Sequence, residues 1–246
     1  MKVVPMIFNT EMVKALMAGD KTVTRRPIYS PAKNIHALGH CCIQHREAGD
    51  EWYKDRVWSM RTKSGVWGDY THEDFIKFSP CKIDDLIYVR ETFAALGHND
   101  YQQVSPRNIF DVHEFRYKAS ERDSIANCAD WEVRGYHWRP SIHMPRTASR
   151  LTLKVTDVRI EKLQDITEDQ CWKEGIEHID GQFDIYQLSE MAKTFDGTFE
   201  DAKASFACLW DSIYKDWHQN PYVWVIEFEV IHQNVDQYLQ SIKNAA

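Results

Sequence analysis

Glycine, cysteine, long apolar runs and surplus positive charge are all scarce in this chain of 246 residues, and each scarcity excludes something. The 10 glycines do not fall into the Gly-rich fingerprints that cradle a dinucleotide or a triphosphate. Six cysteines are too few for a disulfide scaffold at this length, and the adjacent pair Cys41-Cys42 is unsuited to a simple local bridge, so they read as thiols. No stretch of eighteen or more apolar residues offers a membrane span. The opening MKVVPMIFNTEM has neither a long apolar core nor a small-residue cleavage site, so a cytoplasmic location away from membranes is expected. With 30 Lys and Arg against 37 Asp and Glu, the net charge of −7 excludes coating long nucleic acid by bulk electrostatics. Any such contact must be local. Two arginine-rich places qualify: Arg25 with Arg26, and the set Arg134, Arg139, Arg146 and Arg150.

What is present is enough apolar surface for a real core: 43% hydrophobic and 13% aromatic residues, in a length that fits one domain carrying a large insertion. Val3 to Phe8 suits a first strand. Thr10 to Ala18 then gives Thr10 as an N-cap and Met12, Val13, Leu16 and Met17 at helical spacing, with Gly19 in the C-cap place. From about residue 30 to 80 periodicity dissolves, which predicts an irregular insertion, ordered by Trp52, Trp58 and Trp67. Its His36, His40, Cys41, Cys42 and His45 are potential zinc ligands, but adjacent cysteines rarely both ligate one tetrahedral ion and the spacing matches no standard finger. No metal and no cofactor are therefore expected.

Periodicity returns at Asp84 to Phe93, a strand whose alternation sets Glu91 on one face with Ile87, Val89 and Phe93. A carboxylate there is costly unless paired, so Glu91 is either a site residue or half of a structural salt bridge with an arginine. Phe115 to Lys118 reads as another strand, and Tyr136 to Arg146 as a proline-punctuated loop. Ser149 to Ile160 reads as a long strand bulged near Asp157. A capping box at Thr167 to Gln170 opens a short helix ending at Glu174 before Gly175. A longer helix from Thr198 buries Ala202, Phe206, Leu209, Trp210 and Ile213. Asn220-Pro221 stops it, and Tyr222 to Val230 closes the domain as a strand. Mixed short strands and helices without a βαβ rhythm argue for an α+β, barrel-like domain.

The densest chemistry lies between: Gly19-Asp20-Lys21-Thr22-Val23-Thr24-Arg25-Arg26-Pro27 sets three cations and two hydroxyls just past the first helix. A solvated basic turn needs no threonines between its cations. A site that binds a carbonyl or a phosphate uses both donor types.

These segments resemble the ASCH domain family, whose fold is the small β-barrel shared with PUA RNA-binding domains. Gly19, Lys21 and Arg26 are similar to the family's glycine, lysine and arginine signature, and Lys21-Thr22-Val23-Thr24 to its K-T-x-T form. Tyr88 to Phe93, the helix from Ile166 to Gly175 and the aromatic strand Tyr222 to Phe228 extend the likeness. Trp138 to Arg146 and Asn220 to Trp224 resemble the larger phage and prophage members. The resemblance implies a PUA-like small β-barrel with flanking helices, and a nucleoside, nucleotide or RNA as partner. It further implies an amidohydrolase acting on acylated cytidine-type nucleosides, with Lys21, Thr24 and Glu174 as the catalytic set. Thr22, Arg25, Arg26, Arg90, Glu91 and Arg146 complete the expected nucleotide-binding surface.

The chemistry is sound on its own terms. A threonine hydroxyl attacks a carbonyl once a base removes its proton, and a lysine can be that base if burial or nearby cations such as Arg25 and Arg26 keep its amine neutral. Glu174, last in its helix, faces the negative end of the helix dipole, which suits a proton shuttle. In a regular strand Lys21 and Thr24 would point to opposite faces, so joint action requires a turn or bulge across Thr22 and Val23. The alternative is a non-catalytic module in which Lys21, Arg25 and Arg26 hold phosphate while insertion aromatics stack a base.

Overall fold

The computed structural model describes residues 1–29, 43–49, 51–98, 102–122, 137–179 and 181–245. Along the chain the elements are β1 (Val3–Ile7), α1 (Thr10–Ala18), β2 (Val23–Pro27), β3 (Ile43–His45), β4 (Trp58–Arg61), β5 (Trp67–Tyr70) and α2 (His72–Ile76). There follow β6 (Leu86–Arg90), β7 (Phe93–Leu96), β8 (Glu114–Tyr117), β9 (Thr152–Lys162), α3 (Glu168–Lys173), α4 (Ile185–Ala192), α5 (Ala202–Tyr214), β10 (Tyr222–Ile231) and α6 (Val235–Ala245). The fold is mixed α+β.

The long alternating segments form the centre. β9 and β10 lie antiparallel in the middle of a five-stranded sheet of order β1-β6-β9-β10-β2, in which β1 runs parallel to β6. The expected bulge is there: the β9–β10 register shifts between Glu227 and Phe228, leaving Thr156 beside Asp157 without a ladder partner. The barrel expected from the resemblance is not closed by strand pairing among the described residues, since β1 and β2 remain the two edges of an open sheet. A side chain reaches between them instead. Arg26 on β2 donates from Nη2 to the Ile7 carbonyl of β1 at 2.8 Å, with its guanidinium 5.1 Å from the Phe8 ring centre.

Several local expectations change. Asn9, not Thr10, caps α1, its side chain accepting from the Met12 amide at 2.8 Å. The strand expected over Asp84 to Phe93 is two strands, because β6 ends at Arg90 and β7 pairs with β8 in a separate two-stranded sheet. That small sheet has its own core of Phe93, Ala95, Met144 and Ala148. Ile213, expected inside, is 55% exposed at the end of α5.

The insertion is more regular than its sequence suggests. Within its described part, β3, β4 and β5 form an antiparallel sheet followed by α2, capped by Thr71. Trp58, Ser59 and Met60 of β4 are all buried, so this strand is covered on both faces and carries no alternation to read. Trp58 stacks on Phe75 of α2 with centroids 4.8 Å apart and meets Tyr222 of β10 edge-on at 4.9 Å, which joins the insertion to the main core. Trp52, by contrast, is exposed. Of the possible zinc ligands, His36, His40, Cys41 and Cys42 lie outside the described residues, as does Arg134; His45 packs against Trp58 at 4.4 Å. Cys81, Cys171 and Cys208 are buried free thiols. Among the described residues no helix is long and apolar enough to cross a membrane.

Because the insertion shares the main core, Phe75→Ala should destabilise the whole domain by about 3–5 kcal/mol, as for other large aromatic truncations in a packed interior. Denaturant unfolding followed by tryptophan fluorescence should show one transition at a lower midpoint. An unchanged main transition would mean that the insertion folds apart from the sheet.

Candidate functional site

The site is built by two helix ends meeting one turn. α1 stops at Gly19, whose φ of +87° is left-handed, and the Asp20 and Lys21 amides both donate back to the Ala15 carbonyl at 3.0 and 3.2 Å. The chain doubles back and points Lys21 inward. From the other side α3 docks its C-terminus onto the same turn: Thr22 donates its amide to the Lys173 carbonyl at 2.9 Å, and Lys21 pairs with Glu174 as an isolated antiparallel bridge. Gly175, at φ +80°, permits the approach, because a Cβ there would lie 2.5 Å from the Ala15 Cβ and 3.2 Å from the Lys21 Cβ. Thr22 then passes the chain to the sheet by accepting from the Phe228 amide at 3.0 Å.

Lys21 is 2% exposed, and its Nζ donates to Glu174 Oε2 at 2.6 Å and to the Glu174 carbonyl at 2.8 Å. The other carboxylate oxygen accepts from Arg25 Nη1 at 3.2 Å. Arg25, also buried, places Nη2 at 2.9 Å from both Glu161 Oε2 and Gln170 Oε1. That Gln170 oxygen simultaneously accepts from the Thr167 amide at 3.1 Å, closing the expected capping box of α3. Arg159 carries the network onward, donating to Glu161 at 2.6 Å and to Asp157 at 3.0 Å.

Burial is the main influence on Lys21 and lowers its pKa from the ordinary 10.5; the Glu174 carboxylate works against this, while Arg26 and Arg25 reinforce it. Glu174 was expected to answer mainly to the helix end. Its carboxylate instead contacts two cations, Lys21 and Arg25.

Above this network opens a cavity of about 520 Å³, lined by Lys21, Thr24, Arg25, Arg26 and Glu174 on one side and by Phe206, Trp210 and Tyr214 of α5 on the other. The break at Thr22 resolves the facing problem, since the extended run of β2 begins only at Val23 and both Lys21 and Thr24 reach the same cavity. Among the described residues no hydrogen bond holds the buried Thr24 hydroxyl, whereas Arg26 is anchored through Nη1 to the Tyr214 hydroxyl at 3.2 Å.

The remaining expected residues do not line this cavity. Thr22 acts through its backbone, as described. Glu91, 1% exposed, receives Arg150 through both oxygens at 2.8 and 2.9 Å; burial raises its pKa and the arginine opposes that. Glu91 thus has the arginine partner that the ion-pair reading requires. Arg146 pairs with Asp236 of α6, Nε lying 3.1 Å from Oδ2. Arg90 donates to the backbone carbonyls of Met144, at 3.1 Å, and of Ile142. Phe206 and Trp210 are buried core residues, as expected, but their part in the cavity wall had no signal in the sequence, nor had that of Tyr214. Gln170 was visible only as a helix cap, although a cap glutamine keeps a free lone pair that a neighbouring arginine can use.

Comparison with known proteins adds no assignment: no family model, no curated protein and no solved structure matches the chain.

The lowered pKa makes a stability prediction with a definite sign. Between the depressed folded value and 10.5, the unfolded chain keeps a proton that folded Lys21 releases, so stability rises with pH across that window and levels off above it. The stability of the native protein relative to Lys21→Met, from denaturant midpoints, should therefore increase as pH approaches 10.5. A relative decrease over the same range would overturn the assignment.

Proposed function

We propose that the cavity hydrolyses the acyl amide of an acylated cytidine-type nucleoside, and that the domain belongs with the ASCH family, its open sheet being a variant of the PUA-like barrel. One observation carries the reading: a buried lysine with a depressed pKa shares a cavity wall with an unengaged threonine hydroxyl and is in hydrogen-bond contact with a carboxylate. Those are the parts of a base-activated hydroxyl nucleophile.

In this mechanism the neutral Lys21 amine takes the proton from Thr24 Oγ1 as that oxygen attacks the amide carbonyl. Negative charge gathers on the carbonyl oxygen, where the guanidinium of Arg26 at the cavity wall offsets it. The Lys21 ammonium passes its proton through Glu174, 2.6 Å away, to the departing exocyclic amine. The C–N bond breaks and the acyl group stays on Thr24 as an ester; water, deprotonated by Lys21, then attacks that ester, and the Lys21 ammonium returns the proton to Thr24 Oγ1 as the C–O bond to the threonine breaks and the acid departs. The rings of Phe206, Trp210 and Tyr214 give the pyrimidine an apolar face to lie against.

A second reading, a binding module without catalysis, draws on the two hydrogen bonds that tie Lys21 Nζ to Glu174. The two readings separate in one experiment. Hydrolysis of acetylated cytidine should fall about a thousandfold or more in Thr24→Val, Lys21→Met and Glu174→Gln, with folding of each verified. In the active protein, kcat/KM should rise with pH through a pKa below 10.5, because the free base is the reactive form. A native protein that binds the nucleoside but never hydrolyses it would sink the catalytic reading and leave recognition.

A further inference from the structure

A cavity of about 570 Å³ lies where α3, α4 and α5 meet, and it shares no lining residue with the Lys21 cavity. Its volume is that of one small-ligand site. The wall carries the rings of Trp172, Phe183 and Phe199 and the aliphatic side chains of Ile185 and Leu188. Trp172 is 50%, Phe199 41% and Ile185 64% exposed, so this apolar wall is open to water. Elsewhere large rings pack on one another, as Trp58 does on Phe75, Phe206 on Trp217 and Trp210 on Tyr214. Among the described residues Trp172, Phe183 and Phe199 meet no other ring, which leaves their faces available.

The charge of the cavity has one sign. Among the described residues its ionisable side chains are two carboxylates, Glu177 and Glu200. The basic side chains nearest to them in sequence turn to other partners. Lys203, three residues after Glu200, donates to the Gln164 carbonyl at 2.6 Å and lies 4.9 Å from the Phe195 ring centre. Lys173, four residues before Glu177, pairs with Asp169 at 2.8 Å, and the neighbouring His178 meets Asp20 at 2.7 Å. Neither carboxylate has an ion-pair partner among the described residues.

Ring faces carry negative charge density and attract cations, tryptophan most strongly, and a carboxylate beside them adds to that attraction. A neutral apolar ligand would leave both glutamates unanswered, and an anion would be repelled. An alkylated ammonium satisfies the rings and the carboxylates together.

We propose that this cavity binds a small organic cation with an apolar body, an alkylated amine of the trimethylammonium type. Its charge lies between the ring of Trp172 and the carboxylates of Glu177 and Glu200, and its alkyl part rests on Ile185, Leu188 and Phe199. The site is separate from the Lys21 cavity and does not depend on the hydrolytic reading of it.

The test is calorimetric titration of the full chain with choline, with hexyltrimethylammonium and with 3,3-dimethylbutan-1-ol, an alcohol that has the shape of choline without its charge. Hexyltrimethylammonium should bind most tightly, because its chain adds apolar contact, and choline should bind about tenfold more tightly than the neutral alcohol. Trp172→Ala should weaken binding of both cations about tenfold. Glu177→Gln and Glu200→Gln, near-isosteric changes at exposed positions that leave folding intact, should each weaken it about threefold and reduce its dependence on salt. Equal affinity for choline and the alcohol, indifference to both glutamine substitutions, or failure of both cations to bind overturns the proposal.

Discussion

The buried contact between Lys21 and Glu174 is what the rest of the site depends on. An ammonium and a carboxylate removed from water are tolerated only when most of their bonding capacity is met, and here the surroundings are arranged to meet it. Glu174 receives Lys21 on one oxygen and Arg25 on the other, Arg25 is shared with Glu161 and Gln170, and Glu161 is shared with Arg159. Together the links span four elements: the turn after α1, the strand β2, the helix α3 with its C-terminal residue, and the strand β9. The ion network therefore doubles as the joint that holds helix to sheet, and the cavity above it inherits that rigidity.

That sharing explains why polar residues with modest local roles matter. Gln170 closes the cap of a six-residue helix and at the same time orients the arginine beside the candidate catalytic pair. A short helix has little stability of its own, so its position is set by such contacts. Arg26 is similar: one side chain connects the edges of the open sheet, rests on Phe8 and forms part of the cavity wall.

Where apolar alternation or a cap was strong, the sequence was readable. α1, the capping box at Thr167, the bulge beside Asp157 and the closing strand β10 all followed from spacing, as did the turn that carries Lys21. Thr10 was misjudged because the cap was sought next to the first apolar residue, whereas Asn9, one residue earlier, is the better cap of the two. The insertion was opaque for another reason: β4 is buried on both faces and its order comes from Phe75 and Tyr222, residues distant in the chain. At the site, Lys21, Thr24 and Glu174 could be named from short motifs. Which of Arg25, Arg90, Glu91 and Arg146 stood near them could not, because all are polar groups next to apolar strands and only the tertiary pairing separates a cavity wall from a structural ion pair.

Lys21 and Glu174 are 153 residues apart, and β1 lies alongside a strand that begins at Leu86. Contacts of such separation form after the chain has closed long loops, and they are slow to be won during folding. Until α3 has been synthesised and docked, Lys21 has no partner and no burial, and it behaves as an ordinary hydrated lysine. The buried, paired state of Lys21 is thus a late product of assembly, one that requires the finished domain.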